Sequence, residues 1–170
     1  MKFTIDATDK VYFPMTDAEM DAGLQSESFS MCRDYDCCDL GTPEKWGEKA
    51  GMLFIWGHGS AQSDIKHLIR GRMGAGGRSA KDVAADIAEM EFPKGADPEI
   101  CVWSCYSGVV GGFAQLLTLY LIRHGYTGKR VWGCNLLTGT NDSGRLQVYS
   151  TRTSAKRAAQ MADVRFYIGR

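Results

Sequence analysis

Two short apolar runs in the middle of the chain share one pattern, in which the run is followed at once by small residues and one reactive side chain. The first run, residues 52–56, precedes His58, and the second, residues 100–103, precedes Cys105. Uninterrupted apolar runs of about five residues are typical of strands that are buried on both faces of a parallel sheet. Because such sheets carry their chemistry beyond the carboxyl ends of their strands, the pattern predicts that His58 and Cys105 lie at one edge of a sheet.

Helical spacing of apolar residues predicts two helices on either side of the second run. Residues 79–91 begin with a capping-box pattern, and residues 113–124 are apolar on nearly every face, as in a helix buried against a sheet. Further strands are predicted over residues 130–134, 146–150 and 164–168, and a further helix over residues 153–162. This alternation predicts a three-layer α/β domain with a mostly parallel central sheet, and it leaves open whether the first two helices share one face.

The length of the chain, 170 residues, is that of one domain, which we divide into three parts. Residues 1–50 are expected to hold a hairpin, over residues 2–14, and an irregular segment in which a helix begins near Thr16. Residues 51–135 form the core that carries the two apolar runs. Residues 136–170 begin with a loop rich in glycine and threonine, and they end with the last predicted helix and strand.

Composition and charge favour an ordinary globular protein over a disordered or nucleic-acid-binding one. Hydrophobic residues make up 44% of the chain and charged residues 24%, which is a typical globular mixture. Twenty basic and twenty acidic residues cancel, so the sequence predicts no general attraction to nucleic acid or to an anionic membrane. Since no signal peptide or membrane-spanning run is recognisable, we expect a cytoplasmic protein, with delivery as a secreted effector left open.

The cysteines are expected to be reduced, because the sequence shows no export signal. Three of the six lie in or beside apolar runs, where a free cysteine packs as a small hydrophobic residue, and we interpret Cys101 and Cys134 in this way. Cys32, Cys37 and Cys38 lack a second pair of ligands at zinc-binding spacing, so the sequence predicts no metal site.

The two strand-end motifs together resemble those of the caspase-like (clan CD) cysteine peptidases. The resemblance rests on the His-Gly pair at 58–59 and on the Ser-Cys-Tyr-Ser-Gly sequence at 104–108, and it covers about residues 50–135. His58 precedes Cys105 by 47 positions, close to the spacing of about 50 in caspases. The motif is nearest in style to the self-processing protease domains of bacterial toxins, since caspases have Gln-Ala before the cysteine. The resemblance implies the three-layer caspase–hemoglobinase fold.

The resemblance also implies a cysteine endopeptidase whose partner is a protein or peptide substrate. Cys105 would be the nucleophile, and His58 would activate the thiol and protonate the leaving amine. The backbone amides of Gly59 and Cys105 would stabilise the oxyanion of the acyl-transfer intermediate.

The same resemblance places substrate preference in the strand and loop that follow the Cys105 strand, at about residues 132–144. Trp132, Asn135 and Asp142 are the candidates to line a pocket there, and Asp142 could accept a basic side chain. Self-processing would occur in the flexible segment 71–77 or in the loop 135–144. The resemblance also makes inositol phosphate or calcium a candidate activator. Basic residues that gather near the C-terminus would allow the binding of inositol phosphate, and they are Arg145, Arg152, Lys156, Arg157, Arg165 and Arg170.

A second reading of the sequence is a caspase-like scaffold or partner-regulated binding module without turnover. Such a module could retain His58 and Cys105 from an active ancestor. The other two histidines, His67 and His124, have no strand-end context, and we expect both to be structural. The two readings differ in whether Cys105 is held as a reactive thiolate.

Overall fold

The computed structural model describes residues 1–14, 36–37, 43–48, 50–59, 67–68, 78–140, 145–151 and 153–169. The strands of this part are β1 (Lys10–Tyr12), β2 (Asp36–Cys37), β3 (Leu53–Trp56), β4 (His67–Leu68), β5 (Arg78–Ser79), β6 (Ile100–Trp103), β7 (Arg130–Cys134), β8 (Leu137–Thr140), β9 (Leu146–Tyr149), β10 (Arg157–Ala158) and β11 (Val164–Ile168). The helices are α1 (Ala80–Glu89), α2 (Phe113–Arg123) and a short 3-10 helix at Met161–Asp163.

Six strands form the central sheet, in the order β2-β1-β3-β6-β7-β11. Every neighbouring pair is parallel except β7 and β11, so the predicted mixed α/β fold with a mostly parallel sheet is confirmed. The register pairs Trp56 with Trp103, the last residues of β3 and β6, and these adjacent strands therefore end at the same level. His58 and Cys105 each lie two residues further along the chain, at the same edge of the sheet.

Alternate residues of the central strands face two different layers. On one face, Leu53 and Val102 pack with α1 and α2, which also contact each other. On the other face, Phe54 and Trp103 pack with Val148 of β9. Both helices predicted for the core are therefore confirmed, and they share one face of the sheet.

The opposite face is covered by a three-stranded antiparallel sheet in the order β10-β9-β8. This sheet corrects two predictions, because residues 137–140 were expected in a loop and residues 157–158 in a helix, and both segments pair with β9. Antiparallel pairing of residues 157–158 with β9 outweighs the local helix preference of residues 153–162. An ion pair between Arg157 and Asp163, at 2.6 Å, ties the end of this segment to the 3-10 helix.

The hairpin predicted over residues 2–14 is wrong. β1 pairs in parallel with β3 and β2, whereas Thr4 forms a single antiparallel bridge with the residue before β9. The buried carboxylate of Asp9 accepts hydrogen bonds from the backbone N–H groups of Asp6, at 2.9 Å, and Met52, at 2.7 Å. Because Asp9 joins the turn to the start of β3, β1 enters the parallel sheet and does not fold back on the segment before it.

Several predicted features lie outside the described residues or on side chains that are not described: the helix near Thr16, Cys32, Cys37, Cys38, His67, the segment 71–77 and Asp142. Within the described ranges, no helix is long and apolar enough to cross a membrane. In the same ranges, no three His, Cys, Asp or Glu residues are grouped in a way that could hold a metal ion.

Lys129 is a fully buried charged residue just before β7. Its ammonium donates a hydrogen bond to the carbonyl of Pro98, at 2.8 Å, and lies 4.6 Å from the ring centroid of Phe92. Burial lowers the pKa of Lys129 from 10.5 to about 8, against the opposing attraction of Asp97 and Glu99. The folded protein therefore releases a proton that the unfolded chain still holds between about pH 8 and pH 10.5.

This difference predicts how stability depends on pH. In that window the unfolded chain binds more protons at Lys129, so the contribution of this residue to the free energy of unfolding rises with pH. Between about pH 8 and pH 10.5, the free energy of unfolding of the wild type should rise by on the order of 3 kcal/mol relative to that of Lys129→Met. Urea denaturation at each pH measures the difference. The comparison with the variant is needed because buried Cys101 and Cys134, whose pKa values are raised, oppose this trend. Parallel stability curves for the two proteins would contradict the prediction.

Candidate active site

His58 and Cys105 follow the two strands at the centre of the parallel sheet. The strand order reverses between β1 and β3. The chain places β2 on one side of β1, and β3 and β6 then follow on the other side. Open α/β sheets bind ligands beyond the carboxyl ends of their strands at such a switch point. The topology therefore puts His58 beside the switch point, where a site is expected in this class of fold, and Cys105 at the end of the adjacent strand.

Gly59 brings the loop after β3 into direct contact with the loop after β6. A Cβ atom added to Gly59 would overlap the carbonyl oxygen of Cys105 and would lie 2.5 Å from the Ser104 hydroxyl oxygen. No side chain fits at this position without movement of the backbone. The absence of a Cβ at Gly59 is thus what allows the two reactive loops to meet.

Three side chains around Cys105 have buried polar atoms that lack hydrogen-bond partners in the described part of the chain. They are Nε2 of His58, the hydroxyl of Ser104 and Oδ1 of Asn135. Buried polar atoms in native proteins are nearly always hydrogen-bonded, so such a group calls for an explanation. The remaining two buried atoms of this kind belong to guanidinium groups that are already ion-paired, those of Arg78 and Arg130. Unsatisfied hydrogen-bonding capacity is therefore concentrated at one place.

The backbone amides of the Cys105 turn fall into two groups. The four that follow the cysteine all donate to carbonyl oxygens within 3.3 Å, and they belong to Tyr106, Ser107, Gly108 and Val109. By contrast, the N–H groups of Gly59 and Cys105 donate to none of the described residues. These two amides are the pair expected to stabilise an oxyanion, and neither has a backbone acceptor among the described residues.

The turn after Cys105 is held in a strained and well-supported conformation. Tyr106 has a φ of +57°, in the left-handed region that a bulky residue seldom adopts. The Ser107 hydroxyl lies 2.8 Å from the carbonyl oxygens of both Val102 and Ser104, and it accepts the N–H of Cys134 at 3.0 Å. The side chain of Ser107 thereby connects the turn to β6 and β7 and fixes the direction in which Cys105 leaves its strand.

The sulfur of Cys105 contacts β8. Thr138 donates its backbone N–H to Sγ at 3.4 Å, and the Thr138 hydroxyl lies 3.6 Å from the same atom. The sequence predicted no role for Thr138, and it included Ser104 only as part of the motif at 104–108. A weak strand signal was present in the alternation of Leu137-Thr138-Gly139-Thr140, which precedes the Asn-Asp-Ser-Gly sequence at 141–144, residue types common in turns.

Cys105 differs from the other described thiols in its exposure. Cys101 and Cys134 are fully buried in the layer between the two sheets, in agreement with the packing role expected for both. Burial raises the pKa of Cys101 well above its ordinary value and raises that of Cys134 to about 12. Cys105 is only half-buried, so it is the described thiol that a reagent can reach without unfolding.

The three residues expected to line a pocket differ in where the structure places them. Trp132 is 4% exposed, and its indole N–H donates to the carboxylate of Glu99 at 2.7 Å. Glu99 lies at the opposite end of β6 from Cys105. The structure therefore does not bring Trp132 to the site. Asn135 does lie there, because its Oδ1 faces Gly108, while Asp142 is outside the described residues.

The basic residues near the C-terminus are partly engaged with other groups. Arg157 pairs with Asp163, and Lys156 lies 5.9 Å from the ring centroid of Tyr149. Arg165 is exposed, whereas Arg152 and Arg170 lie outside the described residues. An anionic activator at these residues stays a prediction.

Compared with known proteins, the chain matches no protein-family model, and no curated protein sequence matches it.

Proposed function

We propose that the chain is a cysteine endopeptidase of the caspase-like type, with His58 and Cys105 as its catalytic pair. The observation that carries the proposal is the combination, at adjacent strand ends, of a half-buried thiol, a buried unpartnered imidazole nitrogen and two backbone amides that have no backbone acceptor among the described residues. These are the nucleophile, base and oxyanion donors that acyl transfer requires. The parallel sheet and its helical layer are compatible with the three-layer caspase–hemoglobinase fold, which forms part of the proposal.

In the proposed reaction, His58 takes the proton of the Cys105 thiol. An electron pair of the resulting thiolate forms a bond to the scissile carbonyl carbon, and the carbonyl π pair moves to oxygen. The amides of Gly59 and Cys105 donate to that oxyanion. When the carbonyl re-forms, the C–N bond breaks and His58 supplies the proton that the leaving amine takes. Water then attacks the thioester, gives its proton to His58, and releases the acid and the free thiolate.

A scaffold or partner-regulated module is the second candidate, and one observation favours it. Strand β8 lies against the Cys105 sulfur through Thr138, so the nucleophile is already in contact with the protein itself. A module of this kind would bind a partner through the same edge of the sheet without cutting it.

Cleavage of a peptide mixture derived from a whole proteome distinguishes the two functions. The wild type and Cys105→Ala would be incubated with the mixture in buffer alone, with inositol hexakisphosphate and with calcium, and new amino termini identified by mass spectrometry. We expect new termini that share one type of preceding residue, produced by the wild type in at least one condition and by Cys105→Ala in none. The same set of termini from both proteins, or none in any condition, would contradict the peptidase proposal.

A further inference from the structure

Strand β8 places two hydrogen-bonding groups of Thr138 against one sulfur atom. The backbone N–H of Thr138 lies 3.4 Å from Sγ of Cys105, and its hydroxyl lies 3.6 Å from that atom. A backbone N–H can only donate, so the sulfur is the acceptor in that bond. Hydrogen bonds to the charged form of an acid favour that form, and a thiolate accepts more strongly than a neutral thiol.

The position of Thr138 is fixed from both sides along β8. The indole N–H of Trp103 donates to the carbonyl of Gly139 at 3.0 Å, and the N–H of Tyr106 donates to the carbonyl of Leu136 at 3.1 Å. The other edge of β8 pairs with β9, with Thr138 opposite Val148. Donors held in this way need no reorganisation when charge forms on the sulfur.

The charged groups around the sulfur leave this role open to Thr138. No hydrogen bond from a lysine or arginine in the described ranges reaches Sγ of Cys105. The neighbouring Cys134 stays neutral at physiological pH, because burial raises its pKa to about 12. His58 lies in the loop whose Gly59 contacts the backbone of Cys105, and its imidazole is of a kind that can carry positive charge.

We propose that Thr138 is a catalytic residue, which donates hydrogen bonds from its backbone amide and its hydroxyl to the Cys105 thiolate and so keeps the nucleophile ionised alongside His58. This inference rests on the proposed function, and it adds a third residue to the pair. The hydrogen bonds stabilise the thiolate before attack and weaken as the sulfur forms its bond to carbon. Thr138 thereby raises the fraction of Cys105 that is present as thiolate, and it lowers the intrinsic nucleophilicity of that thiolate.

Alkylation of Cys105 by iodoacetamide tests this role without a peptide substrate. Thr138→Val removes the hydroxyl and keeps the shape and the backbone amide, Thr138→Ser restores a hydroxyl, and Thr140→Val makes the same change two residues along β8. At about pH 6, Thr138→Val should be alkylated about tenfold more slowly than the wild type, the effect of losing one hydrogen bond to a charged group. Thr138→Ser and Thr140→Val should stay within about twofold.

The same rates at about pH 9.5 separate ionisation from disruption of the site. There a free thiol is ionised without help, so the Thr138→Val rate should equal or exceed the wild-type rate. Unchanged alkylation at pH 6, equal slowing at both pH values, or failure of Thr138→Ser to restore the rate would each overturn the inference. If Thr138→Val slows alkylation as expected in a protein without turnover, the proposed function fails and the role of Thr138 stands. If turnover requires Cys105 and His58 but Thr138→Val is alkylated at the wild-type rate, the proposed function stands and the role of Thr138 fails.

Discussion

Replacement of His58 by alanine should lower kcat/KM for peptide hydrolysis by about a thousandfold or more. The reason is that one imidazole is assigned two tasks, which are taking the proton of the thiol and delivering a proton to the leaving amine. Its Nε2 atom is buried and unpartnered within the described structure, so the group is available for both tasks. The substrate for this measurement is the peptide that the proteome-derived mixture identifies.

The control for this variant is His124→Ala, which removes a half-buried imidazole at the end of α2. Its kcat/KM should stay within about threefold of the wild-type value, because surface substitutions away from a site have small effects. Cys105→Ala should show no turnover at all. If His58→Ala and His124→Ala retained the same activity, His58 would have no role in the reaction.

The second large effect is expected from Gly59→Ala. The added methyl group would overlap the carbonyl of Cys105 and crowd the hydroxyl of Ser104, so one of the two loops has to move. Movement of the Gly59 amide misplaces one oxyanion donor, and the loss of such a donor costs about 100- to 1,000-fold in kcat. Overpacking of this kind also lowers the free energy of unfolding by about 1–3 kcal/mol.

A glycine in open surroundings gives the matched control for that change. A Cβ at Gly95 would meet only the carbonyl of Asp97, at 3.7 Å, an ordinary van der Waals contact. Gly95→Ala should therefore leave both kcat and the urea midpoint close to wild type. Full activity in Gly59→Ala would show that the contact between the two loops is not needed for catalysis.

The elements that were predicted correctly are those whose sequence pattern lies within the element itself. α1 begins at the capping box of Ser79 and Asp82, where the pattern placed it, and the apolar runs became β3 and β6. The same runs put His58 and Cys105 at one edge of the sheet, because strand ends in a parallel sheet meet there.

The elements that were missed depend on contacts between distant residues. β1 joins the parallel sheet because Asp9 bonds to Met52, 43 positions away, and no local pattern encodes that contact. β8 is held by Trp103, 36 positions before Gly139, so a short alternation that reads as loop becomes a strand. The role of Thr138 could not be predicted for the same reason, because it depends on contact with the Cys105 sulfur.

Trp132 illustrates a different error. A tryptophan on the third strand of the core was expected near the cleft, but side chains on one strand alternate between layers and are spread along its length. Trp132 faces the layer between the two sheets, and Glu99 and Phe166 enclose its ring. Alternation along a strand predicts which layer a residue faces. Its distance from the edge that carries His58 and Cys105 depends on the register between the strands.

The most direct test of the central claim is the labelling of the purified protein by a peptide-based electrophile at about pH 6, located by intact mass and peptide mapping. Ordinary thiols are protonated at this pH, so selective labelling identifies a thiol that its surroundings hold ionised. The account predicts a single adduct at Cys105 that is absent from Cys105→Ala and strongly reduced in His58→Ala. Labelling spread over several cysteines, or labelling of Cys105 that is unchanged without His58, would contradict it.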